Sequence, residues 1–382
     1  MKVYLDNAAT TPLAKEALDE MLPFLTENFG NPSSIHSYGR KSRAAIEKAR
    51  KIVAGAINAS TSEVFFTSCG TESNNMVIKQ AVKNLGVRRI ISSPIEHHCV
   101  LHSAEMEGRE GVQVDMVDIG IHGEVDYGHL ETLLSNGDKK TLVTLMHSNN
   151  EIGTLLDLER VSALCRRYGA YFHTDTVQTI GYYPMDVQKL SVDFISGSGH
   201  KFYGPKGVGF VYINGAVKVQ PFIDGGSQER NMRGGTENLY GIVGLGKALE
   251  LAVSNMAAHR EYVADLKAYM KSRLDNELDD VAYNGYTDER SHYKVLNVSL
   301  PHNTKTDLIL FNLDIAGICA SGGSACTSGS EVGSHVLAGI KAAQDRKSVR
   351  FSFSIHNKKE EIDYVVEELK KMVNVKEPAG VK

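Results

Sequence analysis

A lysine among small residues, Lys201, is the first candidate for chemistry in this chain. It ends segment 196–201, SGSGHK, which follows the apolar run 192–195 that is typical of a buried strand. A lysine at the end of a strand and surrounded by glycines can be desolvated, which makes its amine a nucleophile toward a carbonyl group. The alternative is a surface loop with a solvated lysine, because glycine-rich loops of that kind are common.

A second candidate site follows the strand-like run 64–67, where Gly70 and Thr71 lead into a helical pattern. Free backbone N–H groups at a helix N-terminus, together with a threonine hydroxyl, suit a phosphate group. The same turn without a ligand is an ordinary helix N-cap. Taken alone, the turn fits both interpretations.

Histidines cluster after the next strand-like run, at His97, His98 and His102, with Cys99 between them. These residue types could form a metal site. Adjacent histidines diverge on a regular element, however, and no second cluster has matching spacing, which disfavours metal. An imidazole that stacks on a flat ring or shuttles protons fits as well. A pair of histidines at a helix N-terminus is the alternative without a ligand.

Asn150 and Asp175 follow two further strand-like runs. An aspartate that closes a buried strand could hold a protonated ring nitrogen by a charge-assisted hydrogen bond, or simply cap a turn. Together the strand ends supply a phosphate cradle, an imidazole, an amide, an aspartate and a lysine. These are the parts needed to hold pyridoxal 5′-phosphate, whose protonated pyridine acts as an electron sink.

The elements that must position these residues alternate between strands and helices. Predicted strands are 64–67, 89–92, 112–117, 142–146, 170–174, 192–196 and 208–213, and predicted helices are 13–28, 37–57, 72–85, 100–108, 130–135 and 158–168. This alternation predicts an α/β fold with a mostly parallel sheet covered by helices on both faces. In such sheets ligands bind outside the carboxyl ends of the strands, where the candidate residues fall.

A long helical stretch, 241–277 with a bend near Asn255, connects this part to a smaller C-terminal unit with strands and helices of its own. We therefore expect two domains. A large cofactor-binding domain covers residues 13–255, and a smaller α+β domain combines 1–12 with 256–382.

Composition excludes several classes of protein. The chain has 382 residues, 42% hydrophobic and 23% charged, with a net charge of −4. The charge is too small and too dispersed to suggest binding to nucleic acid or a membrane surface, and no apolar run is long enough to span a bilayer. The start of the chain lacks the features of a signal peptide, and the five cysteines form no CxxC pair. We therefore expect a cytoplasmic protein with free thiols.

Nearly the whole chain resembles the cysteine desulfurases of the NifS/IscS-like branch, which belong to the class-V aminotransferases of pyridoxal-phosphate fold type I. The matching segments are 4–11 (YLDNAATT), 30–34 (GNPSS), 71–73 (TES), 96–97 (EH), 149–153 (NNEIG), 198–201 (SGHK), 203–207 (YGPKG), 232–236 (MRGGT) and 323–328 (GSACTS). The last is specific, because it resembles the catalytic-cysteine loop of this branch.

The resemblance implies a role for each matching residue. Lys201 attaches the cofactor and moves protons at the substrate Cα, Asp175 pairs with the pyridinium nitrogen, and His97 stacks on the ring and serves in proton transfer. The remaining implied cofactor ligands are Asn150 and Gln178 for the ring substituents, and Gly70, Thr71, Ser198, His200 and, from the partner subunit, Thr236 for the phosphate. Asn31 and Arg350 are implied to bind the substrate carboxylate.

Cys326 is the implied nucleophile. Its thiolate attacks the sulfur of L-cysteine, which leaves a persulfide on the enzyme and releases L-alanine. Cys319, seven positions upstream, is the competing thiol. It lies in a predicted strand interior, where a cysteine usually behaves as a small hydrophobe. The resemblance further implies a homodimer and a sulfur acceptor, such as an iron–sulfur cluster scaffold or a tRNA-thiolation protein.

Two other functions stay open at this point. One is a selenocysteine lyase, or another lyase or aminotransferase of the same superfamily, that needs no nucleophilic thiol. The other is a binding module that keeps the fold without turnover. The chain also departs from its relatives, with Gly322 and Ser354 among the altered positions near the expected site.

Overall fold

A computed structural model describes residues 1–322 and 333–374; Cys326 and the rest of its predicted loop from Gly323 onward therefore lie outside the described residues. The strands are β1 (Val3–Tyr4), β2 (Val64–Thr67), β3 (Arg89–Ser92), β4 (Gln113–Met116), β5 (Thr141–Thr144), β6 (Tyr171–Asp175), β7 (Phe194–Ser198), β8 (Gly209–Ile213), β9 (Ala282–Asn284), β10 (Val295–Pro301), β11 (Ile318–Cys319) and β12 (Arg346–Ser352).

Helices separate most of these strands. They are α1 (Lys15–Thr26), α2 (Ser37–Ala56), α3 (Gly70–Leu85), α4 (His98–Arg109), α5 (Tyr127–Ser135), α6 (Leu158–Tyr168), α7 (Gln228–Asn231), α8 (Leu239–Ser254), α9 (Met256–Glu277), α10 (Ile309–Ile315), α11 (His335–Gly339) and α12 (Lys359–Val373). Asn255 separates α8 from α9, where the bend is predicted. In the described residues no helix is both long and apolar enough to cross a membrane.

The large sheet has seven strands in the order β2-β8-β7-β6-β5-β3-β4. Pairing from β7 through β6, β5 and β3 to β4 is parallel, and β8 runs antiparallel to both of its neighbours. The prediction of a mostly parallel α/β sheet is confirmed. In a parallel sheet the carboxyl ends of the strands meet at one edge, and that edge carries the candidate residues.

Apolar side chains on both faces of the sheet explain why its strands read as continuous hydrophobic runs. In β2, Val64 and Phe66 enter the larger core cluster, whereas Phe65 packs in a second cluster. The same alternation divides Ile90 from Ile91 in β3. Helices cover each face and bury these side chains.

Two smaller sheets complete the fold. The antiparallel sheet β12-β10-β9 belongs to the C-terminal part, and β1 pairs in parallel with β11. The N-terminal segment is therefore held by the C-terminal part. The Asn7 side chain donates a hydrogen bond to the Ser352 carbonyl at 2.8 Å, and Ala8 N donates to the Ser352 hydroxyl at 2.8 Å.

Candidate active site

A cavity of about 230 Å³, here named the central cavity, lies at the carboxyl edge of the large sheet. Its walls include most of the residues that the sequence singled out, namely Gly70, Thr71, His97, Asn150, Asp175, Gln178, Ser198, His200, Lys201 and Arg350. These residues come from the ends of different strands, and from β12 of the C-terminal part. The geometry thus joins positions that are far apart in the chain.

Lys201 lies in a single helical turn, Gly199–Lys201, directly after β7. Its Nζ donates hydrogen bonds to the carbonyls of Ala8 at 2.7 Å and Ala9 at 2.8 Å. Its own carbonyl accepts from the Tyr182 hydroxyl at 2.7 Å. The Lys201 amine is thus directed toward the N-terminal segment at the cavity wall, and the backbone of Lys201 is fixed by the Tyr182 hydroxyl.

Asp175 is the last residue of β6 and is buried. Its Oδ1 accepts from the Val177 backbone N–H at 2.9 Å, and its Oδ2 accepts from Asn74 Nδ2 at 2.7 Å. A buried carboxylate in this setting is able to hold a protonated ring nitrogen.

His97 is the N-cap of α4 and accepts the Cys99 backbone N–H at its Nδ1, 3.2 Å away. Burial lowers the pKa of His97, and Lys201 also lowers it, whereas Asp175 opposes them. Burial likewise lowers the pKa of His200 to about 4, with Lys201 acting in the same direction. Both imidazoles are therefore neutral at physiological pH. His200 Nδ1 lies 3.1 Å from the Thr10 hydroxyl.

Arg350 is only 1% exposed and already has two partners. Its Nη2 pairs with Asp6 at 2.7 Å, and its Nη1 donates to the Asn150 carbonyl at 2.8 Å. Its Nε has no hydrogen-bond partner among the described residues. The guanidinium is thus fixed at the cavity wall, and its Nε–H points to no acceptor among the described residues.

Buried polar atoms of the central cavity test whether pyridoxal 5′-phosphate fits. Ser198 Oγ, Gln178 Oε1 and Asn74 Oδ1 are buried and have no hydrogen-bond partner in the described part of the chain. At the N-terminus of α3, a Cβ on Gly70 would lie 2.6 Å from a Val177 methyl group, so a larger residue would narrow the cavity. Unpaired polar groups beside a helix N-terminus and a buried carboxylate fit a phosphorylated pyridine.

Three predicted residues are not in the wall of the central cavity. Thr236 lines a separate cavity of about 140 Å³ with Ser68 and Arg233. Asn31 is exposed and accepts a hydrogen bond from the Ser33 backbone at 2.9 Å. Cys326 lies outside the described residues.

Cys319 differs from the expectation. It lies on a strand, as predicted, but its side chain is exposed, so the interpretation as a buried small hydrophobe was wrong. The physical reason is that successive residues of a strand point to opposite faces of a sheet, and only one face of the β1–β11 pair is covered. Ile318 and its partner Val3 point to the covered face and are buried, whereas Cys319 and its partner Tyr4 point to the exposed face.

Sequence reasoning gave no role to several residues of the cavity wall, among them Ala8, Asn74 and Cys99. Asn74 is four residues after Gly70 on α3, and helical spacing could have placed both on one face. Cys99 follows His97 by two residues, and only the cap geometry of α4 brings its thiol to the imidazole. No group of three or more His, Cys, Asp or Glu side chains in the described ranges is arranged to hold a metal ion.

Comparison with known proteins gives a consistent result. The class-V aminotransferase family model matches residues 3–365. The chain is 43% identical to cysteine desulfurase IscS of Dictyoglomus turgidum over 376 residues, 97% of this chain and 94% of the relative. It is 41% identical to putative cysteine desulfurase IscS 1 of Bacillus subtilis over 367 residues, 94% of this chain and 96% of the relative.

Solved structures agree with these relatives. A NifS-like protein superposes with a TM-score of 0.90 at 36% identity, covering 98% of this chain and all of that one. SspA in complex with cysteine gives 0.81 at 32% identity, covering 92% of this chain and 99% of that one. The chain therefore belongs to the class-V aminotransferase family. Within that family it is a member of the cysteine desulfurases.

Proposed function

We propose that this cysteine desulfurase binds pyridoxal 5′-phosphate and L-cysteine in the central cavity, releases L-alanine and leaves the sulfur on Cys326 as a persulfide. The observation that carries the proposal is the convergence of Lys201, Asp175, His97 and Arg350 on one cavity. A relative solved in complex with cysteine supports the choice of substrate.

The chain offers a distinct group for each part of the cofactor. The N-terminus of α3, with Gly70 and Thr71, would hold the phosphate together with Ser198 and His200. Asp175 would hold the ring nitrogen. His97 would cover the ring face, and Asn150 and Gln178 would bind its substituents. When bound, the cofactor supplies an electron sink that acidifies the Cα proton of an amino acid.

The other steps belong to side chains. Lys201, which attaches the cofactor, would move a proton at the substrate Cα. Arg350 and Asn31 would hold the substrate carboxylate, and the free Nε of Arg350 provides one donor for it. The Cys326 thiolate would form a bond to the substrate sulfur while the carbon–sulfur bond breaks. The carbon fragment then takes up protons and leaves as alanine.

A turnover experiment tests this function. The protein is incubated with L-cysteine and a thiol reductant, alanine and sulfide are measured, and the modified cysteine is identified by mass spectrometry. Lys201→Ala should abolish turnover and the cofactor's yellow absorbance, and Cys326→Ala should abolish alanine formation. Cys319→Ala is the matched control, because Cys319 is an exposed thiol nearby in sequence. Unchanged alanine formation in Cys326→Ala would favour a lyase without a thiol, and persulfide on Cys319 would overturn the assignment.

We also propose that the chain acts as a homodimer in which Thr236 completes the phosphate site of the partner. One face of α1, the loop after it and the first turn of α2 expose apolar side chains to solvent. They are Leu18, Leu22, Leu25, Phe29, Ile35 and Tyr38. Soluble monomers rarely expose a contiguous apolar face of this kind. The position of Thr236 outside the central cavity of its own chain is consistent with a role toward the partner.

Sedimentation and cofactor titration together test the dimer. The wild type should sediment as a dimer, and Leu22→Asp should shift it toward monomer. If Thr236 reaches the partner, Leu22→Asp and Thr236→Ala should both weaken cofactor binding. A monomeric wild type with full cofactor affinity would exclude this arrangement. The sulfur acceptor is proposed to be an iron–sulfur scaffold or a tRNA-thiolation protein.

A further inference from the structure

A cysteine that the desulfurase reaction does not require, Cys99, forms part of the wall of the central cavity. Its Sγ lies 3.0 Å from His97 Nδ1 and 3.1 Å from Asn74 Nδ2. The same Asn74 amide donates to Asp175 at 2.7 Å. The thiol therefore links the imidazole of the site, through one amide, to the carboxylate of the site.

The positions of the protons in this network follow from the backbone. The Cys99 N–H points at His97 Nδ1 across 3.2 Å, and a backbone amide is only a donor. Nδ1 must therefore be an acceptor, and the proton of the neutral ring is on Nε2. A thiol 3.0 Å from the same acceptor must be the donor in that contact. It accepts in turn from the Asn74 amide, so the network is consistent only with a protonated thiol.

Burial acts in the same direction, because it raises the pKa of Cys99 to about 12, and the charge of Asp175 adds to the effect. A thiol held in this form is a poor nucleophile, since the thiolate is the species that attacks sulfur. Cys99 thus lies in the cavity proposed to bind the reactive sulfur of the substrate, but its protonated thiol does not compete with Cys326 for that sulfur.

We propose that Cys99 is a positioning residue for His97, whose thiol holds the imidazole as the Nε2-protonated neutral tautomer and connects it to Asp175 through Asn74. The inference deepens the proposed function, on which the catalytic role of His97 rests. A donor to Nδ1 stabilises the neutral ring, so the Cys99 thiol works against protonation of His97. Charged and titratable groups act on His97 from several elements. They are Asp175 at the end of β6, Lys201 after β7, His98 and His102 on α4, and His335 on α11.

Nitrogen NMR of the imidazoles, with ¹⁵N-labelled histidine in cofactor-free and cofactor-bound protein, tests the inference. His97→Gln identifies the signals. In the wild type at pH 7.5, His97 Nδ1 should show the shift of an unprotonated nitrogen and Nε2 that of a protonated one. In Cys99→Ala the proton-binding constant of His97 should rise about two- to tenfold, the equivalent of one hydrogen bond. Cys99→Ser, which keeps a donor, should restore the wild-type value.

Cys165→Ala is the matched control, because it removes a thiol that is buried in the core around α6, away from His97. It should leave the His97 signals unchanged. In the cofactor-bound enzyme, the acidic limb of the kcat/KM profile should move to higher pH in Cys99→Ala only. A wild-type ring protonated on Nδ1, or His97 signals that are the same in Cys99→Ala and wild type, would overturn the inference. Failure of this inference can be told apart from failure of the proposed function, because the spectra of the cofactor-free protein test the His97 tautomer without any turnover.

Discussion

Replacing Lys294 by methionine should stabilise the protein, and by more at pH 7 than at pH 9. Lys294 precedes β10 and is 0% exposed. Its Nζ has no hydrogen-bond partner among the described residues and lies 3.9 Å from the centre of the Tyr182 ring. Burial lowers the pKa of Lys294 well below its usual value, and the charges of Lys201 and Arg350 lower it further.

The magnitude follows from proton linkage. An unfolded lysine has a pKa of about 10.4, so below that pH the unfolded chain binds one more proton than the folded protein in which Lys294 is neutral. The stability of the wild type then rises with pH by about 1.4 kcal/mol per unit between the folded and unfolded pKa values. Methionine has a similar shape and no proton to bind. The advantage of Lys294→Met should therefore be larger at pH 7 than at pH 9, by up to about 2.7 kcal/mol, the value reached when Lys294 is neutral in the folded protein over that whole range.

Urea unfolding at both pH values measures this difference, with all proteins at one concentration and saturated with cofactor. Lys51→Met, at an exposed position on α2, is the control for removing a lysine charge. Lys267→Met is the contrasting variant, because Lys267 Nζ is buried but donates to the Ser291 hydroxyl and the His292 carbonyl. It should not be stabilising. A stability gain for Lys294→Met that is the same at both pH values, or a loss at both, would refute the argument. The amine would then be a cation held by the Tyr182 ring.

Three further predictions concern other parts of the structure. Gly70→Ala, whose Cβ would lie 2.6 Å from a valine methyl group, should weaken cofactor binding about tenfold in an absorbance titration, whereas Gly55→Ala, with open space around it, should not. Glu229→Ala removes the buried carboxylate that pairs with the Arg50 guanidinium at 2.6 Å and leaves only the more exposed Glu47 at 3.1 Å, and should cost about 3 kcal/mol in urea unfolding. Burial raises the pKa of Glu96 to about 8 in the folded protein. Protonated Glu96 therefore contributes stability that is fully present below the pKa of this residue in the unfolded chain and is lost as pH rises toward 8. The stability of Glu96→Gln relative to wild type should therefore increase between pH 5 and pH 8, and a constant difference would contradict this.

Much of the fold was predictable because its strands are buried on both faces. Runs such as 64–67 and 89–92 are short, apolar and bounded by turns, and the structure has strands with those limits. Parallel pairing then places the residues after each strand at one edge. That rule was enough to bring Asp175 and Lys201 together, although Lys201 lies 26 positions after Asp175 in the chain. The division into domains at 13–255 stays a prediction.

Other features depend on contacts that no local pattern encodes. Cys99 belongs to the site only because the cap of α4 turns His97 back onto it. Cys319 is exposed because it points to the uncovered face of its strand, which its apolar neighbours did not reveal. The burial of Lys294 could not be predicted from the sequence, because a lysine beside a strand is usually solvated. Only the packing of its amine against the Tyr182 ring shows that this lysine is buried.

The attachment of the N-terminal segment to β12 has a consequence for how the protein is made. The carbonyls of Ala8 and Ala9 accept hydrogen bonds from the Lys201 amine. Ala8 is held in place by Ser352, which a ribosome adds more than three hundred residues later. The large sheet can form as the chain emerges, because its strands lie between residues 64 and 213. The wall that faces the lysine closes only after β12 has been synthesised. Contacts of such long sequence separation form late and slowly. A nascent chain therefore passes through a stage with a folded sheet and an open site, and becomes competent to bind its cofactor tightly only at the end of synthesis.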